Sequence, residues 1–140
     1  MPARKRVRLV VDVNVLMSAL VSGDGRFIQA LFNRQRFTVC ISPALVGEFA
    51  EVLQRPAMRK YFTASEAERA LHRLIALSER LDKDPTVKAI CRDPKDDYLL
   101  ALAKTVKADH LITGDADLLV LRKHGKTNIL KPAAFRKKFL

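Results

Sequence analysis

The chain of 140 residues has little of several residue types that mark particular kinds of protein. Its two cysteines, Cys40 and Cys91, lie far apart, so they indicate neither a metal cluster nor an oxidising compartment. Tryptophan is absent and other aromatics are sparse, which limits stacking on single-stranded nucleic acid bases. No Gly/Ser-rich stretch, low-complexity segment or internal repeat occurs. We therefore expect a single domain over residues 1–140, long enough to bury a core.

Several catalytic signatures are also absent. The sequence has no phosphate-binding P-loop, no dinucleotide-binding glycine motif and no Ser/His/Asp constellation. An NTPase, a dehydrogenase and a serine hydrolase therefore have no support. The three histidines, His72, His110 and His124, lack the spacing of zinc ligands, which argues against a zinc enzyme.

An uninterrupted apolar run long enough to span a membrane is missing as well. Basic residues followed by the apolar segment 9–21 resemble a signal peptide. However, Asp12 and Asn14 interrupt that segment, and a central aspartate costs about 2.5–3.5 kcal/mol on membrane-insertion scales. We therefore expect no membrane association and a cytoplasmic location.

Positive charge is what the chain has in excess. Lys+Arg number 26 against 15 Asp+Glu, a formal net charge of +11. Such a balance favours a polyanionic partner: nucleic acid first, then an anionic membrane surface or an acidic protein. Arg4 and Arg6 near the N-terminus and the basic residues 136–138 are candidate phosphate contacts, although solvated basic tails explain them equally well.

Strand and helix patterns alternate along the chain. We expect strands at residues 7–11, 37–41, 110–113 and 128–130. Helices are expected at residues 15–20, 26–34, 42–55, 64–81, 93–106 and 118–123, and from residue 132 onward. This alternation favours an α/β fold, a three-layer α/β/α sandwich with a central, mostly parallel sheet.

The most informative residue is Asp12, which follows the apolar run of the first predicted strand. Burying an unpaired carboxylate is costly, so a buried strand carries one only where a partner compensates it. The carboxyl ends of parallel strands are where ligands and metals bind. Asp12 is therefore a candidate metal ligand.

Three further acids are candidates by the same reasoning. In the predicted helix from residue 93, Asp93 suits the N-cap and Asp96 position N3, which leaves Asp97 on a face with apolar neighbours. Glu48 likewise shares an apolar helix face, whereas Glu51 has a solvated one. Ordinary explanations stay open for both: Asp97 could be one more acid in the first turn of a helix, and Glu48 could lie at the edge of the apolar face.

The last candidate, Asp115, follows the predicted strand at residues 110–113 through Gly114. Asp117 suits the N-cap of the next helical turn, although it is also a possible ligand. An ordinary Asx-type turn explains Asp115 without any metal. Strand carboxyl ends and helix N-termini meet at one edge of a parallel sheet, so these acids would converge there. Clustered carboxylates need a cation, and oxygen ligands suit Mg²⁺ or Mn²⁺.

Four segments in order resemble the acidic motifs of PIN-domain nucleases, closest to the VapC-like toxin ribonucleases of prokaryotic toxin–antitoxin systems. They are residues 10–14, Glu48, residues 97–101 and residues 113–117. The resemblance implies an Mg²⁺- or Mn²⁺-dependent endoribonuclease, usually dimeric and held inactive by a cognate antitoxin.

The resemblance also assigns roles. It implies metal coordination by Asp12, Asp97 and Asp115, with Glu48 completing the acidic set. It places Asn14 and Thr113 beside the site as orienting residues. One departure is Val13, which stands where threonine is common in the family. Two other functions stay open from the residues alone: a non-catalytic RNA- or protein-binding module, and a phosphotransfer domain, for which a second aspartate in place of Asn14 is missing.

Overall fold

A computed structural model describes residues 5–86 and 96–140. Two expectations fall outside the described residues: Arg4 as a phosphate contact and Asp93 as a helix N-cap. None of the described helices has the length and apolar content needed to cross a bilayer.

The described strands form one six-stranded sheet in the order β3-β2-β1-β4-β6-β5. Every neighbouring pair is parallel except β5 and β6, which are antiparallel. The central strand β1 lies between β2 and β4, with Leu9 opposite Val39 on one side and His110 on the other. The strands are β1 Val7–Val11, β2 Phe37–Ile41, β3 Glu79–Arg80, β4 His110–Ile112, β5 Lys123–His124 and β6 Thr127–Leu130.

Helices surround this sheet, as the apolar centre of its strands requires. Leu9, Val10 and Leu111 are completely buried, which is typical of parallel strands covered on both faces. The three-layer α/β/α sandwich is therefore confirmed. The helices are α1 Val13–Ser22, α2 Gly25–Leu31, α3 Pro43–Leu53, α4 Ala64–Leu77, α5 Asp97–Thr105, α6 Ala116–Leu119 and α7 Pro132–Phe139, with a 3-10 helix at Pro56–Lys60.

Helix boundaries follow local capping chemistry where the sequence supplies it. Ser42 accepts a hydrogen bond from the Leu45 N–H, and Pro43 occupies the first turn of α3, as the Ser-Pro pair predicts. Helix α4 begins with a reciprocal capping box between Thr63 and Glu66.

Two predicted helices have the wrong bounds. The helix expected over residues 64–81 ends at Leu77, and residues 79–80 join the sheet as β3. The helical turn expected over residues 118–123 lies at Ala116–Leu119, so the loop before it is shorter and Lys123 belongs to β5. Both β3 and β5 are two-residue strands at the sheet edges and carry no apolar alternation that would have revealed them.

The order of the strands creates a switch point between β1 and β4. From β1 the chain proceeds to β2 and β3 on one side, then returns to β4 on the other side of β1 and continues outward to β6. In open parallel sheets, ligands bind outside the carboxyl ends of the strands at such a point. The residues that follow β1 and β4 are therefore the ones positioned to form a site.

Candidate functional site

Asp12 directly follows β1 at the switch point, and only 4% of its surface is exposed. Its backbone N–H donates to the carbonyl of Ile112 at 2.9 Å, which ties the end of β1 to β4. Its Oδ1 accepts from the N–H of Asn14 at 3.1 Å and thereby caps α1. Its Oδ2 accepts from the hydroxyl of Thr113 at 2.7 Å. Both carboxylate oxygens are thus held in place by neighbouring elements.

Burial raises the pKa of Asp12 above its ordinary value, and the hydrogen bonds from Thr113 and Asn14 oppose that shift. The negative charge of Asp115 raises the pKa further. The ionised form of Asp12 is therefore disfavoured by its surroundings. A cation beside it would relieve both the burial and the repulsion.

Thr113 links the acids that follow the two central strands. It is completely buried, and its N–H donates to the carbonyl of Leu130 at 2.9 Å. Its hydroxyl donates to Asp12 and accepts from the N–H of Asp115 at 3.0 Å. One side chain therefore orients Asp12 and the loop that carries Asp115.

Asp115 occupies the N-cap of α6, where its Oδ1 accepts from the N–H of Asp117 at 2.8 Å. The sequence predicted Asp117 for this cap, and that assignment is wrong because the helix begins earlier, at Ala116. Asp117 lies instead in the first turn. Both side chains are half-buried at the same edge of the sheet as Asp12.

Asp97 is the first residue of α5, and only 3% of its surface is exposed. Helix α5 packs against β1 and β4. Its first turn lies near the edge of the sheet where those strands end. Asp96 directly precedes Asp97 with helical backbone angles, and its predicted position N3 depends on residues 93–95, which lie outside the described residues. A buried acid in the first turn is favoured by the partial positive charge of the helix N-terminus.

Glu48 on α3 is half-buried and accepts a hydrogen bond from the hydroxyl of Tyr98 on α5. Burial raises the pKa of Tyr98, and the charges of Glu48, Asp12 and Asp96 raise it further, so the phenol stays protonated and donates. Sequence reasoning assigned Tyr98 no role. Its contact spans 50 positions in the chain, and no local pattern signals such a contact.

The structure thus brings most of the predicted acids around one crevice. The charge of Asp115 acts on Asp12, and those of Asp12 and Glu48 act on Tyr98. In the described ranges, however, no group of three or more His, Cys, Asp or Glu side chains is arranged to hold a metal ion. The carboxylates supply hard oxygen ligands, the type that Mg²⁺ and Mn²⁺ prefer, but their oxygen atoms do not converge on a single ion position.

A cleft of about 390 Å³ opens beside these acids. Asn14 and Asp115 line one side of it, and Asp24 and Arg136 line the other. The Arg136 guanidinium forms an ion pair with Asp24 and lies 4.2 Å from the centroid of the Phe27 ring. Two residues that the sequence marked as substrate contacts, Asn14 and Arg136, therefore lie in one cleft with an acid of the crevice.

Arg6 is placed elsewhere. It precedes β1, whereas Asp12 follows β1, and six residues of extended chain span about 20 Å. Arg6 therefore lies at the amino edge of the sheet and is not brought together with the acids. Its position follows from the direction of the strand, which the sequence analysis did not apply to it.

Comparisons with known proteins agree with this architecture. The family model described as the PIN domain matches residues 8–117. The chain is 30% identical over 126 residues to the uncharacterized protein MJ1680 of Methanocaldococcus jannaschii, covering 86% of this chain and 79% of that protein.

Two solved structures share the fold. PAE2754 from Pyrobaculum aerophilum superposes with a TM-score of 0.62 at 18% identity, covering 95% of this chain and 89% of that one. VapBC2 from Rickettsia felis, solved bound to a DNA fragment from their promoter, gives a TM-score of 0.60 at 12% identity, covering 89% and 98%.

The matched region includes every acid of the crevice, from Asp12 after β1 to Asp117 in α6. It also includes the switch point at which the fold presents them. The chain therefore belongs to the PIN domain family.

Proposed function

We propose that this protein is an Mg²⁺- or Mn²⁺-dependent endoribonuclease that hydrolyses RNA phosphodiester bonds. The observation that carries the proposal is Asp12: a buried carboxylate at the switch point, held by Thr113 and Asn14, with Asp115 close enough to raise its pKa. Such an arrangement is typical of a cation-binding carboxylate in a cleft. The net charge of +11 supports a polyanionic substrate.

The residues that would hold the cation are Asp12, Asp97 and Asp115, with Glu48 or Asp117 as the fourth acid. When bound, the cation would supply an activated water and neutralise charge that develops on the phosphate. The donor set consists of oxygen atoms alone, and burial disfavours the negative charge of Asp12, which a bound cation would offset.

The protein's own side chains would position these groups. Thr113 keeps Asp12 oriented, and Tyr98 fixes one oxygen of Glu48. The cleft beside Asp115 would receive the RNA chain, with Asn14 orienting the substrate and Arg136 close to a neighbouring phosphate.

The proposal extends to partners. We propose that the protein is the toxin component of a toxin–antitoxin pair, that a cognate antitoxin protein inhibits it, and that it works in the cytoplasm as a homodimer or higher oligomer. The shared fold with VapBC2 supports this assignment at the level of architecture.

The test is cleavage of a mixed RNA pool by the purified protein with Mn²⁺, with Mg²⁺ or with EDTA. We expect cleavage that requires the metal and is lost in Asp12→Asn while the far-UV circular dichroism is retained. Glu68→Gln on the exposed side of α4 removes the same charge away from the site and should cleave as the wild type does. Equal cleavage by Asp12→Asn and wild type would refute the site.

A non-catalytic RNA- or protein-binding module is the second candidate. It is favoured by the lack of a closed cluster of metal ligands among the residues in the described ranges. Its signature would be RNA binding with a steep salt dependence and no turnover with either metal.

A further inference from the structure

A second cleft, of about 310 Å³, lies at the amino edge of the sheet. Arg6 and Arg8 at the start of β1, Arg34 before β2 and Ser78 at the end of α4 line it. It is therefore at the opposite end of β1 from Asp12. Nothing in the acidic crevice accounts for a basic cleft in this position.

Two of its three arginines carry uncompensated charge. Arg8 forms an ion pair with Glu79 at 2.7 Å and donates through Nε to the carbonyl of Val106 at 2.8 Å, so it is fully engaged. Glu79, the carboxylate that lines the cleft, is compensated by that pair. Arg6 and Arg34 are exposed and form no ion pair with any carboxylate in residues 5–86 and 96–140.

A half-buried hydroxyl adds to the polar lining of the cleft, because Thr38 on β2 lies beside Arg8 on β1. Ser78 also lines the cleft, but its Oγ atom is buried out of reach of a ligand.

We propose that this cleft binds a phosphate group of the RNA, at a distance from the acidic crevice where the chain is cut. The donors belong to two neighbouring strands and the segments before them: Arg6 precedes β1, Arg34 precedes β2, and Thr38 lies in β2. A phosphodiester presents acceptor oxygens on several sides and accepts paired bonds from guanidinium groups, whereas a carboxylate offers two oxygens in one plane. RNA is therefore favoured over an acidic protein segment.

The proposal has a geometric consequence that rests on the proposed nuclease function. About 20 Å of extended chain separates Arg6 from Asp12, so only an RNA of several nucleotides contacts both edges. The cleft would strengthen binding of long substrates and leave very short ones unaffected.

The experiment measures RNA binding in EDTA, where no cleavage occurs. The probe is a fluorescent single-stranded RNA of about 20 nucleotides, titrated at several salt concentrations. The test variant is Arg6→Ala/Arg34→Ala. The control is Arg69→Ala/Lys104→Ala, which removes two exposed charges that line neither cleft.

We expect the Arg6/Arg34 double variant to bind RNA more weakly and to lower the slope of log K against log salt by about 0.7 for each arginine that contacts a phosphate. With Mn²⁺, cleavage of an RNA of about two nucleotides, too short to contact both sites, should be the same in both double variants.

Equal weakening in the control would show that general charge alone is responsible and would overturn the proposal. Binding that neither double variant changes would overturn it too. If polyglutamate binds in a manner that depends on Arg6 and Arg34 while RNA does not, the cleft serves an acidic protein instead. Because RNA binding is measured without cleavage, the binding result can be interpreted even if the protein proves not to be a nuclease.

Discussion

The hydroxyl of Thr113 is the contact on which the orientation of Asp12 depends most directly. We predict that Thr113→Val, which keeps the shape but removes the hydroxyl, weakens Mn²⁺ affinity or activity about 10–100-fold. The hydrogen bond from Thr113 lowers the pKa of Asp12, so its loss should raise that pKa and move the acid limb of the pH–rate profile to higher pH. Calorimetric titration with Mn²⁺ and a pH profile measure both effects.

Thr113→Ser serves as the control for this substitution, because it keeps the donor. It should retain most of the affinity and an unshifted profile. A valine variant that behaves as the wild type would show that the hydroxyl does not position Asp12.

The hydroxyl of Tyr98 donates a hydrogen bond to Glu48 and so links α5 to α3 beside the site. We predict that Tyr98→Phe costs about 1 kcal/mol in free energy of unfolding and lowers cleavage, because Glu48 loses its donor and its orientation. Urea denaturation and cleavage rates measure the two effects. Tyr61→Phe, at an exposed tyrosine, is the matched control and should change neither. Equal behaviour of the two variants would exclude a positioning role.

At the scale of elements, α7 contributes Pro132 and Arg136 to the cleft beside the acids and packs on the core through an aromatic cluster. Phe135 is completely buried, with ring centroids 5.4 Å from Phe37 and 6.3 Å from Phe27. We predict that Phe135→Ala lowers the free energy of unfolding by about 3–5 kcal/mol in urea denaturation. The exposed neighbour substitution Lys137→Ala should stay within about 0.5 kcal/mol. A small effect of Phe135→Ala would mean that α7 docks mainly through other contacts.

Elements were predictable from sequence where a local pattern defines them. Strands β1 and β2 have the predicted bounds, because both are apolar runs between polar or turn residues. Strand β3 was missed because Glu79 and Arg80 are exposed and carry no apolar pattern that would mark them as a strand paired with β2. The N-cap of α6 is Asp115, not the predicted Asp117. The sequence rule for an N-cap fits either aspartate, and the packing of the helix determines which one is used.

At the scale of the whole molecule, the fold separates charge along the strands. Asp12 and Asp115 lie at the carboxyl edge, whereas Arg6 and Arg34, which form no ion pair within the described residues, lie at the amino edge. We predict that Mn²⁺ at about 100 times its dissociation constant stabilises the protein by about 2.7 kcal/mol, a rise of about 10 °C in melting temperature. Thermal unfolding with Mn²⁺ and with EDTA tests this.

Asp12→Asn should lose that metal-dependent rise, whereas Glu68→Gln should keep it. Retention of the full rise in Asp12→Asn would place the bound ion away from the crevice. The comparison therefore checks the site without requiring any RNA to be cut.

The sequence by itself determined the class of fold, the strand that ends in Asp12 and the acidic character of the site, because these follow from periodicity, capping and the cost of a buried carboxylate. Only the tertiary structure decided which side chains meet. Thr113 reaches Asp12 across 101 positions, and Tyr98 reaches Glu48 across 50. Arg6 lies at the far edge from the acids because strand direction places it there. Such contacts depend on strand register and helix packing, which no local pattern encodes.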